Sequence, residues 1–274
     1  MTTLIHFFAI LVLIIASIQD LKKREVMDWL NYGLFFFAIS FRLSASVIES
    51  DYSIFTNGIL GFLVTFAVGS LFYYTGQWGG GDAKLLFGLG ALLGYSYFLF
   101  VYIAAIFVMG SLYGLIYSVY LAIKYKRNFV NAFAQIYNEY KSKQNFLVVT
   151  VMALLVLSIP LQVKHIYLSF SLLLILLFYL YLYAKAFEEG FMMVYYNPKK
   201  LTEGDWIAKE VKYRGKVIAG PKDLGVEKHQ IKKIMALYRK GIVKRVLVKE
   251  GIPFVPGFLL GYIVNLYLFT VYLL

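Results

Sequence analysis

Asp and Glu are scarce in this chain, 15 of 274 residues, so the setting of each acid carries information. The most suggestive is Asp82, in the run Gly79-Gly80-Gly81-Asp82-Ala83-Lys84. Three consecutive glycines cost backbone entropy inside a helix. They suit a loop that bends sharply or brings its backbone close to another group. Asp82 then falls at or just inside a helix start, where an N-cap and a plain turn would also account for the segment. A second acid, Asp20, closes the apolar run that begins at Thr3. The C-terminal end of a helix already carries negative dipole charge, so an acid is unfavourable there. With the first helix running inward and the fourth outward, both carboxyls lie at one depth, on the same edge of the bilayer. Two carboxyls that close share one proton. A carboxylate beside a carboxylic acid activates water and protonates a tetrahedral intermediate, which is aspartic-protease chemistry.

Positioning that pair falls to membrane helices. The chain is 61% hydrophobic and 15% charged, with a mean hydropathy of +0.71. An ordinary soluble domain is about a quarter charged, so a soluble fold is excluded. With no cysteine, disulfides, thiol catalysis and Cys-ligated metals are excluded as well. A helix needs roughly 20 apolar residues to cross the hydrocarbon. Thr3 to Ile18 is the first span, and it has no basic segment before it and no small-residue cleavage site, so it reads as a retained helix. Trp29 to Ile48 and Ile54 to Thr75 follow. Leu85 to Ile123 carries no charge, but as one helix it would be nearly 60 Å long, at about 1.5 Å per residue. A break at Gly94-Tyr95-Ser96 divides it into a short fourth helix and a long fifth. Phe146 to Leu161 and Ile166 to Ala184, joined by Gln162-Val163-Lys164-His165, give two more, and Phe254 to Leu274 the eighth.

Basic residues orient this topology. All of the 27 Lys and Arg residues except Arg42 and Lys164 fall on one side. Positive charge stays in the cytoplasm, so both termini are expected outside and the two aspartates at the cytoplasmic face. The formal charge of +12 is therefore an orientation signal and not a nucleic-acid signal. The 24 Phe and 24 Tyr residues are lipid-facing and interfacial bulk, not a stacking surface for nucleic acid.

One stretch is not membrane. Phe187 to Gly251 carries 15 basic and 8 acidic residues. Strands are expected at Trp206 to Val211 and Lys216 to Ala219, around a turn at Arg214-Gly215. A helix follows from Gly225 to Lys240, with Val226, Ile231, Ile234, Met235 and Leu237 as its apolar stripe, and a returning strand at Arg245 to Lys249. The fold class is thus an α-helical polytopic membrane protein with a small α+β cytoplasmic insert before the last helix. Its expected parts are a catalytic core over 1–123, a basic cytoplasmic loop over 124–145, an added transmembrane pair over 146–186, the insert over 187–251 and a final helix over 252–274.

The motif Gly79-x-Gly81-Asp82, Asp20 followed by Lys22-Lys23-Arg24-Glu25-Val26, Lys84, and the ending Lys249-Glu250-Gly251-Ile252-Pro253-Phe254-Val255-Pro256-Gly257-Phe258 together resemble a known family. They look like the archaeal prepilin and preflagellin (archaellin) peptidases, in the type IV prepilin peptidase group of GxGD membrane aspartic proteases. The resemblance implies that Asp20 and Asp82 are the catalytic pair, supported by Gly79, Gly81 and Lys84. It also implies a protein substrate, an archaellin or pilin precursor whose short basic leader, a class III signal peptide, is cut at the cytoplasmic face. A basic leader needs acidic partners, for which Glu25 and Asp28 are the candidates beside Glu203 and Asp205. For Asp28 the plainer role is a cap of the second helix, and Glu203-Gly204-Asp205 reads as a turn.

The chain departs from that family in two ways. Bacterial relatives carry a four-cysteine zinc domain and N-methylate their product. With no cysteine and no glycine-rich cofactor loop, this chain is expected to cleave without methyl transfer, with no metal and no cofactor. Eight helices also exceed the six usually drawn for the family core, the surplus being Phe146 to Ala184. Two other readings compete. A presenilin-like intramembrane protease shares GxGD, but Tyr-Asp and Pro-Ala-Leu motifs are missing. A proton- or cation-coupled transporter would place carboxylates at the midplane of paired broken helices. Among the remaining polar residues, Arg42 is expected to snorkel to headgroups and Asn265 to bond between helices. His6, His165 and His229 show no metal spacing.

Overall fold

A computed structural model describes residues 2–158 and 164–272, and ten α-helices lie among them. Helices α1 (Thr2–Lys23), α2 (Asp28–Ile48), α3 (Tyr52–Tyr74), α4 (Gly80–Leu93) and α5 (Tyr97–Lys124) come first. They are followed by α6 (Lys126–Glu139), α7 (Lys141–Ser158) and α8 (Lys164–Phe187). The expected link Gln162-Val163 and the chain end at Leu274 lie outside the described residues. Strands β1 (Met193–Tyr196), β2 (Trp206–Ile207), β3 (Val211–Tyr213) and β4 (Lys216–Ala219), helix α9 (Lys228–Arg239) and strand β5 (Val246–Lys249) precede the last helix, α10 (Val255–Tyr272). The fold is that of a helical polytopic membrane protein with a small sheet region before its final helix.

Eight crossings are expected, and the expected spans Phe146 to Leu161 and Phe254 to Leu274 end outside the described residues. Among the described residues, five helices are long and apolar enough to span a bilayer: α1, α2, α3, α5 and the stretch His165–Met192. The apolar part of α10, Val255–Val271, is shorter. Helix α4 has 14 residues, roughly 21 Å at the usual rise, and α7 opens on the polar run Lys141-Ser142-Lys143-Gln144-Asn145. The break expected at Gly94 is present, with Gly94 at φ +73°.

The described chain forms two compact units, one of residues up to Tyr117 together with those from Tyr196 on, the other of Ser118–Tyr195. The segment 124–145, expected as a loop, is helical in the second unit. Phe129, Ala132, Phe133, Ile136 and Tyr140 recur every three or four residues, and this stripe packs α6 against Leu182 and Ala186 of α8. The basic residues suggest a loop, but the apolar period specifies an amphipathic helix.

In the first unit, α4 is enclosed by α2 and α3. Leu85, Leu86, Leu89 and Leu92 are all fully buried, as a helix apolar on every side requires. Small residues bring the backbones together. A Cβ on Gly88 would meet the Leu34 side chain at 2.8 Å, and one on Gly90 would collide with Thr65 and the Gly61 carbonyl.

Arg42 corrects an expectation. It does not snorkel, being only 8% exposed. Its guanidinium donates to the Leu92 carbonyl from Nε (3.1 Å) and Nη2 (2.9 Å), and to the Ile54 carbonyl from Nη1 (2.9 Å). A cation on the last carbonyls of α4 satisfies orphan acceptors and complements the helix dipole. Asn265 behaves as expected, its Nδ2 donating to the Phe98 carbonyl of α5 at 3.0 Å.

The insert matches its outline. Strand β2 pairs antiparallel with β5, Ile207 opposite Val248, and β3 pairs with β4 across Arg214-Gly215. Both turn residues take positive φ, 49° and 77°, the geometry of a tight hairpin. The strand expected from Trp206 to Val211 is broken in two, and the helix begins at Lys228, with Ile234 and Leu237 buried.

Candidate active site

Helix α1 runs three residues past Asp20, to Lys23, so the aspartate sits in the last turn and not at the end. Arg24 closes the helix with φ 56°, its N–H donating to the Asp20 carbonyl at 2.7 Å. The Asp20 side chain is 4% exposed. Its Oδ2 accepts the backbone N–H of Val255 at 2.8 Å. Val255 opens α10, and a first-turn N–H has no partner inside its own helix. The acid that burdens the C-terminus of α1 is therefore compensated by the positive end of α10. That gives the Pro253-Phe254-Val255-Pro256 segment a physical purpose: Pro256 has no N–H to leave unpaired, and Val255 offers its own to the carboxylate.

Asp82 is the third residue of α4 and half-buried. Gly79, not Asp82, is the N-cap, and its N–H donates to Asp82 Oδ2 at 3.2 Å. The capping role is thus reversed from the simple expectation, and the carboxyl reaches back over the glycines. Helix α1 packs against α4, and the Asp20 and Asp82 carboxyls are close enough to feel one another's charge. The structure brings these two residues together.

The glycines allow this approach. A Cβ on Gly81 would meet the backbone N and O of Val26 at 3.2 Å each, whereas one on Gly80 would make only ordinary contact with Tyr73, at 3.6 Å. Gly79 has comparable room, its nearest neighbour being Asp82 Oδ2 at 3.5 Å. Asn31, buried in α2, donates from Nδ2 to the Gly81 carbonyl at 3.2 Å. Asn31 is a polar residue inside the apolar run Trp29 to Ile48 and was not singled out from the sequence as a site residue. A buried amide in an apolar helix was the signal that it has work to do.

Lys84 turns away from the pair. Its Nζ donates to Asp28 Oδ1 at 2.6 Å and lies 5.4 Å from the centre of the Tyr32 ring. Asp28 is the first residue of α2, with Met27 as N-cap, so it does not cap the helix through its side chain. It favours the dipole from the first turn and neutralises Lys84. Glu25 is exposed and has no ion pair or side-chain hydrogen bond among the described residues. Glu250 receives Arg24 and also the Tyr196 hydroxyl, at 2.7 Å, tying the α1–α2 turn to the insert.

Trp78, unnoticed in the sequence, is 5% exposed. It stacks on Phe72 at 4.8 Å and meets Phe107, Phe254 and Phe258 at 5.3–5.8 Å between ring centres. This aromatic cluster anchors the residue before the glycines to the start of α10. The insert reaches the same loop, for Trp206 lies against Gly76, whose φ is +70°.

Residues 7–115 match the sequence profile of the type IV leader peptidase family. The chain is 44% identical over 81 residues to the preflagellin peptidase of Methanococcus maripaludis, covering 30% of this chain and 35% of that protein. It is 41% identical over 81 residues to that of Methanocaldococcus jannaschii (30% and 34%) and 33% identical over 88 residues to that of Methanococcus voltae (32% and 37%). The chain thus spans about a third of the length of the curated relatives it matches. No solved structure matches. Residues 7–115, which hold Asp20, Asp82 and the glycine motif between α3 and α4, are thus the part of the chain that is similar to the type IV leader peptidase family.

Proposed function

We propose that this protein is a membrane aspartic endopeptidase that removes the short basic leader of preflagellin- or prepilin-type precursors. The observation that carries this reading is the meeting of two carboxyls from different helices, Asp20 and Asp82, within reach of each other's charge. The names of its relatives, preflagellin peptidases, support the substrate class. One carboxylate takes a proton from water as the water adds to the scissile carbonyl carbon. The other, protonated, gives its proton to the carbonyl oxygen, and collapse of the intermediate releases the leader. Both groups are held by backbone N–H donors, from Val255 and Gly79, so their positions are set before substrate arrives.

The basic residues around the pair, Lys22, Lys23 and Arg24 on one side and the insert on the other, support a cytoplasmic site with both termini outside. Cleavage proceeds in this reading without methyl transfer. Glu25, exposed and unpaired among the described residues, is the carboxylate best placed to meet a leader's lysine or arginine. Asp28 is the weaker candidate because Lys84 already occupies it.

Incubating the purified protein with a class III precursor and weighing the products by mass spectrometry tests this directly. The expected products are the leader and the mature chain, cut at the junction of basic leader and hydrophobic helix, with no added methyl group. Intact precursor after prolonged incubation in lipid would overturn the reading.

A further inference from the structure

We propose that Tyr113 of α5 donates its hydroxyl to the substrate carbonyl oxygen beside Asp20, holding the charge that develops there as water adds. The proposal rests on the peptidase reading above. The Tyr113 hydroxyl is sealed from solvent and has no hydrogen-bond partner. A buried hydroxyl in a native fold is normally bonded, and an exception calls for an explanation. Here the fold supplies one.

The ring of Phe254 lies on Gly110, and a Cβ on Gly257 would approach the Gly110 Cα at 2.6 Å. Helix α5 therefore meets the first turn of α10 at Gly110. Asp20 is bonded to that same turn, through Val255. Tyr113 follows Gly110 by three residues, one turn further along the same face, and lies within range of the Asp20 charge. Its ring is braced by Tyr117, stacked at 5.9 Å with 24° between planes. A free donor is thus held on the part of α5 that meets the turn bonded to Asp20, with no hydrogen-bond partner among the described residues.

The chemistry balances without moving the tyrosine proton. Water adds to the carbonyl carbon and loses one proton to the ionised carboxylate. The carbonyl oxygen accepts the electron pair and then the proton of the protonated carboxyl. When the C–N bond breaks, the leaving nitrogen takes the proton that came from water, and one hydroxyl of the diol returns its proton to the carboxylate that had protonated the carbonyl oxygen. Tyr113 only donates a hydrogen bond to the oxygen throughout. Removal of one such donor typically lowers kcat by about 10²–10³-fold.

Three variants of the full chain test this with a class III precursor: Tyr113→Phe, 3-fluorotyrosine at position 113, and Asp20→Asn. Tyr113→Phe should lower kcat by about 10²-fold with KM changed less than about threefold. It should weaken binding of a junction peptide bearing a hydroxyethylene isostere by a comparable factor, and leave binding of the free leader peptide unchanged. Its thermal midpoint should not fall, because the hydroxyl has no partner to lose. The fluorinated residue keeps the donor and should retain cleavage within about threefold of wild type. Tyr113→Phe cleaving within twofold of wild type, losing thermal stability, or being matched in its defect by fluorotyrosine, would each overturn the proposal. An active Asp20→Asn protein would instead bring down the peptidase reading beneath it.

Discussion

Gly81 lies directly against Val26, so closely that a Cβ on the glycine would press on both the N and the O of the Val26 backbone, at 3.2 Å. This contact sets the first turn of α4 against the turn that follows α1. It joins the two aspartates mechanically, since Asp82 follows Gly81 and Val26 follows the last turn that holds Asp20. The contact accounts for the glycine at position 81: a Cβ has room at Gly79 and Gly80 and is tight only at Gly81.

Gly81→Ala should therefore be harmful and Gly80→Ala mild. Backbone atoms cannot rotate away as side chains do, so Gly81→Ala must shift α4 by a few tenths of an ångström. Rates that depend on a near-attack geometry fall steeply with such shifts, and a loss of roughly tenfold or more in kcat is expected. Gly80→Ala should keep at least half of the activity. Steady-state cleavage assays on both variants check the contrast, and equal losses would contradict it.

Arg42 should matter for stability and not for the chemical step. Its guanidinium makes three hydrogen bonds, two to the Leu92 carbonyl at the far end of α4 and one to the Ile54 carbonyl in the first turn of α3. Hydrogen bonds to a charged group are worth about 1.5–3 kcal/mol each, and Arg42→Met removes all three and leaves the Leu92 carbonyl, in the last turn of α4, unpaired in an apolar setting. A loss of about 3 kcal/mol or more is expected. Thermal unfolding in detergent would register it, and a midpoint unchanged from wild type would remove Arg42 from its structural role. Arg42→Lys cannot reproduce the fork and should recover only part of the loss.

Lys84→Ala should be nearly neutral. The lysine and its partner Asp28 are substantially exposed, with side chains 38% and 62% accessible, and such pairs contribute about 0–1 kcal/mol. Cleavage within about threefold of wild type is expected, because Nζ faces Asp28 and Tyr32, not the aspartate pair. A defect as deep as that of Asp82→Asn would show that the lysine serves the carboxyls after all.

These residues also show what was legible in the sequence. Asp20 and Asp82 could be paired because helix direction fixes depth, and Gly94 could be placed as a break because length alone forbade a continuous helix. The insert was readable from its turn residues, Arg214-Gly215 and Gly204, each of which adopts positive φ. Arg42 was not readable. Snorkelling and capping require the same side chain at the same depth, and only the position of the α4 carbonyls distinguishes them. Trp78 was hidden for a related reason, since one aromatic among many in a membrane protein says nothing of which four rings it will meet. Helix α6 was hidden because Lys126 and Arg127 open it directly after Lys124, so that its charge is more conspicuous than its apolar period.

The insert should become less stable as pH rises. Burial raises the Asp205 carboxyl above its ordinary value, against the lowering effect of hydrogen bonds from the Thr202 N–H and hydroxyl. A folded-state value above the unfolded one gives a stabilising contribution that is complete below the unfolded value and is lost as pH rises through the folded one. The Gly204–Val226 hydrogen bond beside it should open more often at pH 7 than at pH 4, in hydrogen exchange corrected for intrinsic rates. Asp205→Asn should abolish that difference, and its persistence in the variant would assign it to another group.

The central claim is that Asp20 and Asp82 act as one unit, and a double-mutant cycle in kcat measures it most directly. Asp20→Asn, Asp82→Asn and the double variant should each lose about 10⁴-fold or more, with the double no worse than the worse single, as members of a shared catalytic device are grossly non-additive. The wild type should show a bell-shaped pH profile belonging to the pair. Near wild-type cleavage by either single variant, or losses that multiply in the double, would contradict the account.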